Sequence, residues 1–242
     1  MFKLLVDIGN TRSKIALFQA NELQEFWIKP IEDLFGFLQE LIATKEIYAA
    51  LLSDVSGKWQ KEWVLNLPAN KVFWLNQNLP MPFKNNYATP QTLGADRMAL
   101  VAGAIHFYPK QACLVIDAGT CVTYEVLNSL QEYLGGNITP GLHMRLKAMH
   151  TFTGKLPLPN WELPLQILGT DTQSCLLSGA YYGLLGEIGH FVKEYSLQFP
   201  EIKVLLTGGD SELLAKNIKT SIFVNEHLLL YGLNKILTDH AK

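Results

Sequence analysis

Two short stretches of the sequence place an acid, a glycine and a hydroxyl where an apolar run ends. The first is VDIGNT at residues 6–11, and the second is IDAGT at residues 116–120. A glycine after an acid lets the backbone turn tightly and approach a ligand, so that the turn can hold phosphate oxygens. The acid supplies the hard oxygen ligand that Mg²⁺ prefers. The pair therefore predicts a site for a nucleotide and a cation.

One such stretch alone is ambiguous, because Asp-x-Gly-Asn is also an ordinary hairpin turn. The second copy favours the phosphate interpretation, and a third glycine turn, TGGD at 207–210, adds another backbone-rich corner. A P-loop is excluded as the phosphate site, since the Gly-Lys pairs at 57–58 and 154–155 lack the upstream glycine that this motif requires. The six histidines are dispersed and do not suggest a metal centre.

The elements that must position these residues can be predicted from hydrophobic periodicity. Residues 4–18 and 115–126 each read as a strand, a glycine turn and a second strand. Helices are predicted at 31–44, 95–106, 173–199 and 228–240, and residues 135–142 are predicted to be a Gly-Pro loop that enters a helix. Two hairpins of one form, one near the start of each half, indicate an internal duplication. We predict an α/β protein with domains at 1–108 and 109–242 and the acidic turns lining one cleft.

Composition limits the classes of partner. Apolar residues make up 48% of the 242 residues and charged residues 17%, which supplies a sizeable core. The net charge of −2, with scattered basic residues, predicts no binding to nucleic acid or to anionic lipid. No signal peptide or membrane span is predicted, and three cysteines without C-x-x-C spacing argue against a disulfide framework. A cytoplasmic protein is expected.

Taken in order, the motifs of this chain resemble those of type III pantothenate kinases, within the superfamily of acetate and sugar kinases, heat-shock chaperones and actin. Seven motifs carry the resemblance: DIGNT (7–11), GADR (94–97), DAGTCVT (117–123), GGNITPGL (135–142), GTDT (169–172), LLSGAYYG (176–183) and TGGD (207–210). Residues 19–75 contain no family motif. The resemblance implies two ribonuclease H-like lobes with mixed sheets flanked by helices.

The resemblance also implies an activity: ATP-dependent phosphorylation of pantothenate to 4'-phosphopantothenate, the first step of coenzyme A biosynthesis, by a homodimer. The ATP-binding residues would be Asp7, Ile8, Gly9, Asn10, Thr11, Arg12, Ser13, Lys14 and Thr120, with Asp7 on the Mg²⁺ side of the nucleotide. The pantothenate site would comprise Tyr87, Gly94, Ala95, Asp96, Arg97 and Thr172. Asp96 would accept the proton of the substrate hydroxyl, and Asp117 would help to bind a monovalent cation, K⁺ or NH₄⁺.

The chemistry of phosphoryl transfer agrees with these roles. Its loose transition state needs positioning and charge stabilisation more than a strong base, so an ordinary Asp96 can serve. The planar fork of Arg97 suits the carboxylate of pantothenate. In isolation, GADR could equally be a helix start with Asp96 in the favourable first turn and Arg97 in a surface ion pair. Two other functions stay open: a kinase of another small hydroxylated substrate, or a non-catalytic regulator on the same fold.

A stripe of small residues follows one face of the long predicted helix. Cys175, Gly179, Gly183 and Gly186 are spaced by four, four and three residues. Because each glycine costs a helix about 1 kcal/mol relative to alanine, the stripe indicates a close backbone neighbour. That neighbour could lie within the second domain or could belong to another subunit, and the resemblance to dimeric kinases favours the subunit contact.

Overall fold

The computed structural model describes residues 1–9, 12–54, 56–58, 67, 71–76, 78–161 and 166–241. The strands in chain order are β1 (Phe2–Ile8), β2 (Arg12–Gln19), β3 (Glu22–Pro30), β4 (Ile47–Asp54), β5 (Val72–Trp74), β6 (Lys84–Asn85), β7 (Cys113–Ala118), β8 (Cys121–Leu127), β9 (Glu132–Pro140), β10 (Lys203–Thr207) and β11 (Phe223–Val224). The helices are α1 (Ile31–Thr44), α2 (Ala95–Phe107), α3 (Leu142–Phe152), α4 (Thr172–Gln198), α5 (Ser211–Ala215) and α6 (Leu228–His240). Both predicted hairpins are confirmed, as is the helix at 31–44.

The chain forms two compact units. The first comprises residues 1–111, 129–134 and 227–242, and the second comprises residues 112–128 and 135–226. Residues 227–242 join the first unit because α6 packs against α2. The segment 129–134 joins it because the start of β9 pairs in parallel with β6. The domain boundary predicted from the duplicated motifs, with domains at 1–108 and 109–242, stays a prediction.

The two units contain sheets of the same topology. The first sheet has the order β3-β2-β1-β4-β5, and in the second unit the order is β9-β8-β7-β10-β11. The strands of each unit can be counted in chain order, from β1 in the first unit and from β7 in the second. In both units the first strand is antiparallel to the second and parallel to the fourth, and the fourth is parallel to the fifth. Between the third and fourth strands, the first unit has one helix, α1, and the second unit has two, α3 and α4. The mixed α/β fold and its internal duplication are thereby confirmed.

Each unit has its own hydrophobic core. In the first, alternate residues of β1 and β2 pack with one face of α1, whose buried residues Leu34, Leu38 and Leu41 follow the helical period. In the second, β7, β8 and β10 pack with α4, through residues such as Ile116, Tyr124 and Leu184. Each core holds the end of a central strand in place, and these strands carry Asp7 and Asp117.

Helices α2 and α6 of the first unit approach each other backbone to backbone. A Cβ atom on Gly232 would lie 1.8 Å from the carbonyl oxygen of Ala99, and one on Gly103 would lie 2.4 Å from that of Leu228. Real Cβ atoms do not approach other atoms so closely, so only glycine fits at either position. Through this crossing α6 is held against β1 and β4, on the opposite face of the sheet from α1.

One prediction about local structure was wrong. Residues 135–140, predicted to be a loop, form most of β9, which lies between β8 and β6 in the sheet order. Glycines and a proline gave a turn signal, but the position of this segment beside β8 in the sheet overrides it. For the glycine stripe of α4, the structure argues against a close neighbour within its own unit. Outside the helix itself, no described atom lies within 4 Å of a Cβ atom built on Gly179, Gly183 or Gly186. A contact with another subunit, the alternative that the sequence favoured, stays a prediction.

Among the described residues, none of the helices combines the length and the hydropathy needed to span a lipid bilayer.

Candidate active site

Asp7 is the penultimate residue of β1, and the sheet register gives it two polar neighbours. Lys14 of β2 lies opposite on one side, and Ser53 of β4 lies opposite on the other. Because directly paired residues share a face of the sheet, all three side chains project to the same side. Asp7 is only 8% exposed, and its Oδ1 atom has no hydrogen-bond partner among the described residues. The side chain of Ser53 is also fully buried, beside the Asp7 carboxyl group.

The charge on Asp7 is poorly compensated. Burial raises its pKa to about 6; the cation of Lys14 and the Ser53 hydroxyl oppose this shift, while the carboxylates of Asp96 and Asp54 add to it. A buried acid beside two other acids, with an unsatisfied oxygen, is the environment in which a bound cation would restore the charge balance. If Mg²⁺ is bound here, Asp7 would supply it with an oxygen ligand.

The turn after Asp7 contains the other predicted ATP-binding residues of the first motif. Gly9 closes the turn by donating its N–H to the carbonyl of Arg12 at 3.1 Å. Ser13 and Lys14 continue into β2, where Ser13 is fully buried. Asn10 and Thr11 lie outside the described residues. Ile8 belongs to the core beneath the turn and is fully buried.

Asp96 and Arg97 lie in the first turn of α2, as predicted. The carboxylate of Asp96 accepts the backbone N–H of Arg97 at 2.8 Å, which fixes its position. Gly94 makes room for this carboxylate, since a Cβ atom at that position would lie 2.4 Å from Asp96 Oδ1. Asp96 is partly exposed, whereas Arg97 is 7% exposed, so the sequence-based alternative of a surface ion pair for Arg97 was wrong.

The guanidinium of Arg97 is held by two aromatic residues. Nη2 donates a hydrogen bond to the hydroxyl of Tyr133 at 2.8 Å, and the guanidinium carbon lies 5.4 Å from the ring centroid of Tyr87. The two rings stack with their centroids 5.9 Å apart and an interplanar angle of 29°. A cation held between a ring face and a hydroxyl is preorganised to bind an anion. The structure thus brings together Tyr87, Gly94, Ala95, Asp96 and Arg97 in one unit.

Sequence reasoning missed Tyr133, which is fully buried at the start of β9. Its contacts with Arg97 and Tyr87 are made across 36 and 46 residues of sequence, so no local pattern reveals them. The β6 pairing, Asn85 opposite Tyr133, is what brings this tyrosine beside the residues that follow β6. Tyr133 could have been identified as a site residue only by predicting that β6 pairs with β9.

In the second unit, three glycine-containing turns pack against one another. The N–H of Gly141 donates to the carbonyl of Thr120 at 3.1 Å, and the N–H of Asp210 donates to the carbonyl of Ala118 at 3.0 Å. A Cβ atom on Gly141 would lie 2.1 Å from the carbonyl oxygen of Gly119. The motifs DAGT, TPGL and TGGD, far apart in sequence, therefore form one corner.

Asp117 occupies the same place in β7 as Asp7 does in β1. Its neighbours in the register are Thr123 of β8 and Thr207 of β10. Gly208, with φ of +94°, brings its backbone against the carboxylate, since a Cβ there would lie 2.4 Å from Asp117 Oδ1. The buried Oγ1 of Thr123 makes no hydrogen bond to any described residue. A carboxylate beside an unpaired hydroxyl and several carbonyls is a set of hard oxygen donors of the kind that binds cations.

A cavity of about 430 Å³ opens beside this corner. Its lining comes from the DAGT and TGGD turns and from α3: Gly119, Thr120, His143, Met144, Lys147, Gly209 and Asp210. Burial raises the pKa of Asp210, and the nearby His143 opposes the shift. Thr120 was predicted to contact ATP, whereas His143 and Lys147 were not predicted, because α3 carries no motif of its own. The cavity offers both hydrogen-bonding groups and an apolar wall.

Thr172, the last predicted pantothenate residue, begins α4. It follows Asp171, whose carboxylate caps the helix by accepting the N–H of Ser174 at 2.9 Å. This bond, with that of the Ser174 hydroxyl, lowers the pKa of Asp171. Thr172 itself is exposed, so the capping box fixes its backbone and leaves its hydroxyl accessible.

Comparison with known proteins identifies the family. A family model described as type III pantothenate kinase matches residues 3–194. The chain belongs to the type III pantothenate kinase family. A type III pantothenate kinase of Christiangramia forsetii is 40% identical over 242 residues, covering 97% of each chain. The range matched by the family model contains both acidic turns and the GADR helix start, and it ends before the TGGD turn at 207–210.

Two solved structures share the fold at lower sequence identity. A Campylobacter jejuni protein assigned to the Baf family of transcriptional activators has a TM-score of 0.64 and 24% identity, covering 98% of each chain. Component A of the (R)-2-hydroxyglutaryl-CoA dehydratase of Acidaminococcus fermentans has a TM-score of 0.55 and 14% identity, covering all of each chain. Both likenesses concern the actin-like fold alone, which was predicted from the sequence motifs.

Proposed function

We propose that the chain transfers the γ-phosphate of ATP to the primary hydroxyl of pantothenate, giving 4'-phosphopantothenate for coenzyme A biosynthesis. The observation that carries this proposal is the environment of Arg97. Its guanidinium is held by Tyr87 and Tyr133, directly after the acid Asp96. A carboxylate receptor beside a proton acceptor matches a substrate that has a carboxylate and a hydroxyl. Membership of the family supports the same substrate.

In this proposal, Arg97 binds the carboxylate of pantothenate, with Gly94, Ala95, Tyr87 and Thr172 completing the substrate site. Asp96 takes the proton of the attacking hydroxyl. Because that proton becomes acidic only late in phosphoryl transfer, a carboxylate of ordinary basicity is sufficient. The hydrogen bond from the Arg97 backbone N–H fixes the orientation of the Asp96 carboxylate.

The nucleotide is assigned to both acidic turns. Residues 7–14 would hold its phosphates. Thr120, which lines the cavity with His143 and Lys147, would also contact the nucleotide. Mg²⁺ would be held by Asp7 and would neutralise charge on the β- and γ-phosphates. K⁺ or NH₄⁺ would be held by Asp117 with the hydroxyl of Thr123.

We also propose that the protein is a homodimer, formed through the glycine stripe of α4. The stripe is exposed at Gly179, Gly183 and Gly186, where an added Cβ atom would have no described atom within 4 Å. A second copy of the chain is the occupant we assign to it, since glycines permit close helix approach. Gly183→Leu should therefore lower the mass measured by sedimentation to that of a monomer. A dimer that persists in this variant contradicts the assigned surface.

One experiment tests the main proposal. ATP consumption by the purified chain is measured with and without pantothenate, first in K⁺ and then in Na⁺. We expect turnover that depends on pantothenate and that is faster in K⁺. Consumption with a different hydroxyl acceptor from a panel, and none with pantothenate, would identify another small-molecule kinase. Absence of turnover with every acceptor would identify a non-catalytic protein.

A further inference from the structure

The cavity of the second unit depends on where α3 begins. The first residues of α3 supply His143 and Met144 to the cavity wall, and Lys147 follows one turn later. The preceding residue, Gly141, is hydrogen-bonded to Thr120 and packs on Gly119 without room for a side chain. A shift of the α3 start would therefore move both the helical wall and the glycine turn of the cavity.

The side chain of Arg145 makes hydrogen bonds that fix the start of α3. Its Nε donates to the carbonyl of Pro140 at 2.8 Å, directly before Gly141. Its Nη2 donates to Oε2 of Glu187 on α4 at 2.7 Å. The rigid fork of arginine can join these two acceptors at a fixed separation, whereas the single ammonium of lysine cannot reproduce both directions. Arg145 thus ties the turn before α3 to the long helix.

Glu187 is itself fixed on its other side. Its Oε1 accepts hydrogen bonds from the hydroxyl of Thr139 at 2.6 Å and from that of Tyr124 at 3.1 Å. Tyr124 is fully buried in β8, and Thr139 lies in β9. Both carboxylate oxygens of the glutamate are therefore directed, one by the sheet and the other by Arg145. Such a half-buried ion pair is weak evidence for stability but serves well to specify one geometry.

We propose that Arg145 and Glu187 are positioning residues for the nucleotide. They hold the segment from Pro140 to α3 so that Thr120, His143 and Lys147 face the cavity in one arrangement. This inference rests on the proposed function, because it takes the cavity to be part of the nucleotide site. Neither side chain lines the cavity, so both act through the residues that do.

The test is direct binding of MgATP to the full chain by calorimetry, without pantothenate, beside steady-state kinetics with it. Arg145→Ala and Arg145→Lys should each raise the Kd and the KM for MgATP about tenfold, as expected for a small misplacement of binding groups. The KM for pantothenate should change much less, since Tyr87, Arg97 and Tyr133 belong to the first unit and Thr172 lies at the far end of α4 from Glu187. Arg145→Ala combined with Glu187→Gln should bind MgATP no more weakly than Arg145→Ala alone, because both changes break one link.

Lys235→Ala provides the matched control, because it removes an ion pair, with Asp239 at 2.6 Å, from α6 of the first unit. It should leave MgATP binding unchanged. If Arg145→Ala does not fold, as judged by circular dichroism, Arg145→Lys decides the result. A Kd within about twofold of the wild type in a folded Arg145 variant overturns the inference, even if the melting temperature falls. A wild-type chain that neither binds MgATP nor phosphorylates pantothenate overturns the proposed function instead.

Discussion

Asp7 and Asp96 are electrostatically coupled acids: beyond the effect of burial, the negative charge of Asp96 raises the pKa of Asp7. The coupling links the end of a buried strand to the first turn of a helix that begins almost ninety residues later. A cation bound at Asp7 would offset the effect of the Asp96 charge on this carboxyl group.

The first prediction concerns the stability of Asp7→Asn as a function of pH. The pKa of Asp7 is raised from 3.8 to about 6 in the folded chain, so folding takes up a proton between these values. The cost of the buried charge is therefore fully present above pH 6 and is relieved as the pH falls below it. Without divalent cations, Asp7→Asn should melt at a higher temperature than the wild type at pH 7.5, and the difference should shrink at pH 5.

Mg²⁺ supplies the control for this measurement. The metal should raise the melting temperature of the wild type at pH 7.5 in the presence of ATP and should have little effect on Asp7→Asn. Equal stabilisation of both proteins by MgATP would show that Asp7 is not on the cation side of the nucleotide.

The second prediction concerns Asp96→Asn. The variant should fold normally, because Asp96 is partly exposed and lies outside the core, and asparagine can still accept the N–H of Arg97. Loss of the proton acceptor should lower kcat by a factor on the order of 10² to 10⁴. The measurement is turnover at saturating substrates, with the melting temperature as a check on folding. Wild-type turnover in this variant would refute the assignment of Asp96.

The third prediction concerns Tyr133→Phe, which removes one hydroxyl and keeps the stacked ring. Losing a hydrogen bond to a charged group costs about 1.5–3 kcal/mol, so the KM for pantothenate should rise roughly tenfold or more. The KM for ATP serves as the internal control and should stay the same. If the variant loses affinity for both substrates equally, the role of Tyr133 is to support the fold and not to orient Arg97.

The fourth prediction concerns Asp117→Asn and the monovalent cation. Removing the negative charge should shift the K⁺ activation curve to higher concentrations, while turnover at saturating K⁺ is affected less. A K⁺ titration that is identical to that of the wild type would exclude Asp117 as a ligand. Thr123→Val, which is nearly isosteric, should shift the curve in the same direction if the unpaired hydroxyl contributes.

The fifth prediction compares two glycine-to-alanine changes in helices. Gly232→Ala should destabilise the protein by more than the roughly 1–3 kcal/mol typical of overpacking, because its Cβ would meet the backbone of α2. Gly179→Ala, at an open position of α4, should instead stabilise the isolated chain by about 1 kcal/mol through helix propensity. Thermal unfolding of dilute protein measures both. Destabilisation of equal size in the two variants would contradict this account of the α2–α6 crossing.

Local sequence patterns predicted the parts of the structure that local chemistry determines. The helical period of Leu34, Leu38 and Leu41 gave α1 within its observed bounds, and the acid-glycine turns gave both hairpins. The pairing of Asp96 and Arg97 at the start of α2 was equally readable, because helix starts have their own sequence signals.

Contacts between distant segments were not predictable in this way. Tyr133 reaches Arg97 only because β6 pairs with β9, and two residues of strand give no usable signal in the sequence. The glycine stripe of α4 gives a stronger sequence signal than the single glycines Gly103 and Gly232. It is Gly103 and Gly232, however, that allow α2 and α6 of one unit to pack closely. A repeated pattern is visible in the sequence, whereas the role of an isolated glycine depends on which helix packs against it.

The position of α6 has a consequence for how the protein is made. This helix covers the sheet of the first unit, yet the ribosome synthesises it after the whole of the second unit. During translation one apolar face of the N-terminal sheet therefore stays exposed to solvent until α6 is synthesised. Such exposure favours aggregation or chaperone binding. Ribosome-bound chains stopped before residue 228 should bind chaperones through that side, and release of α6 from the exit tunnel should end the association.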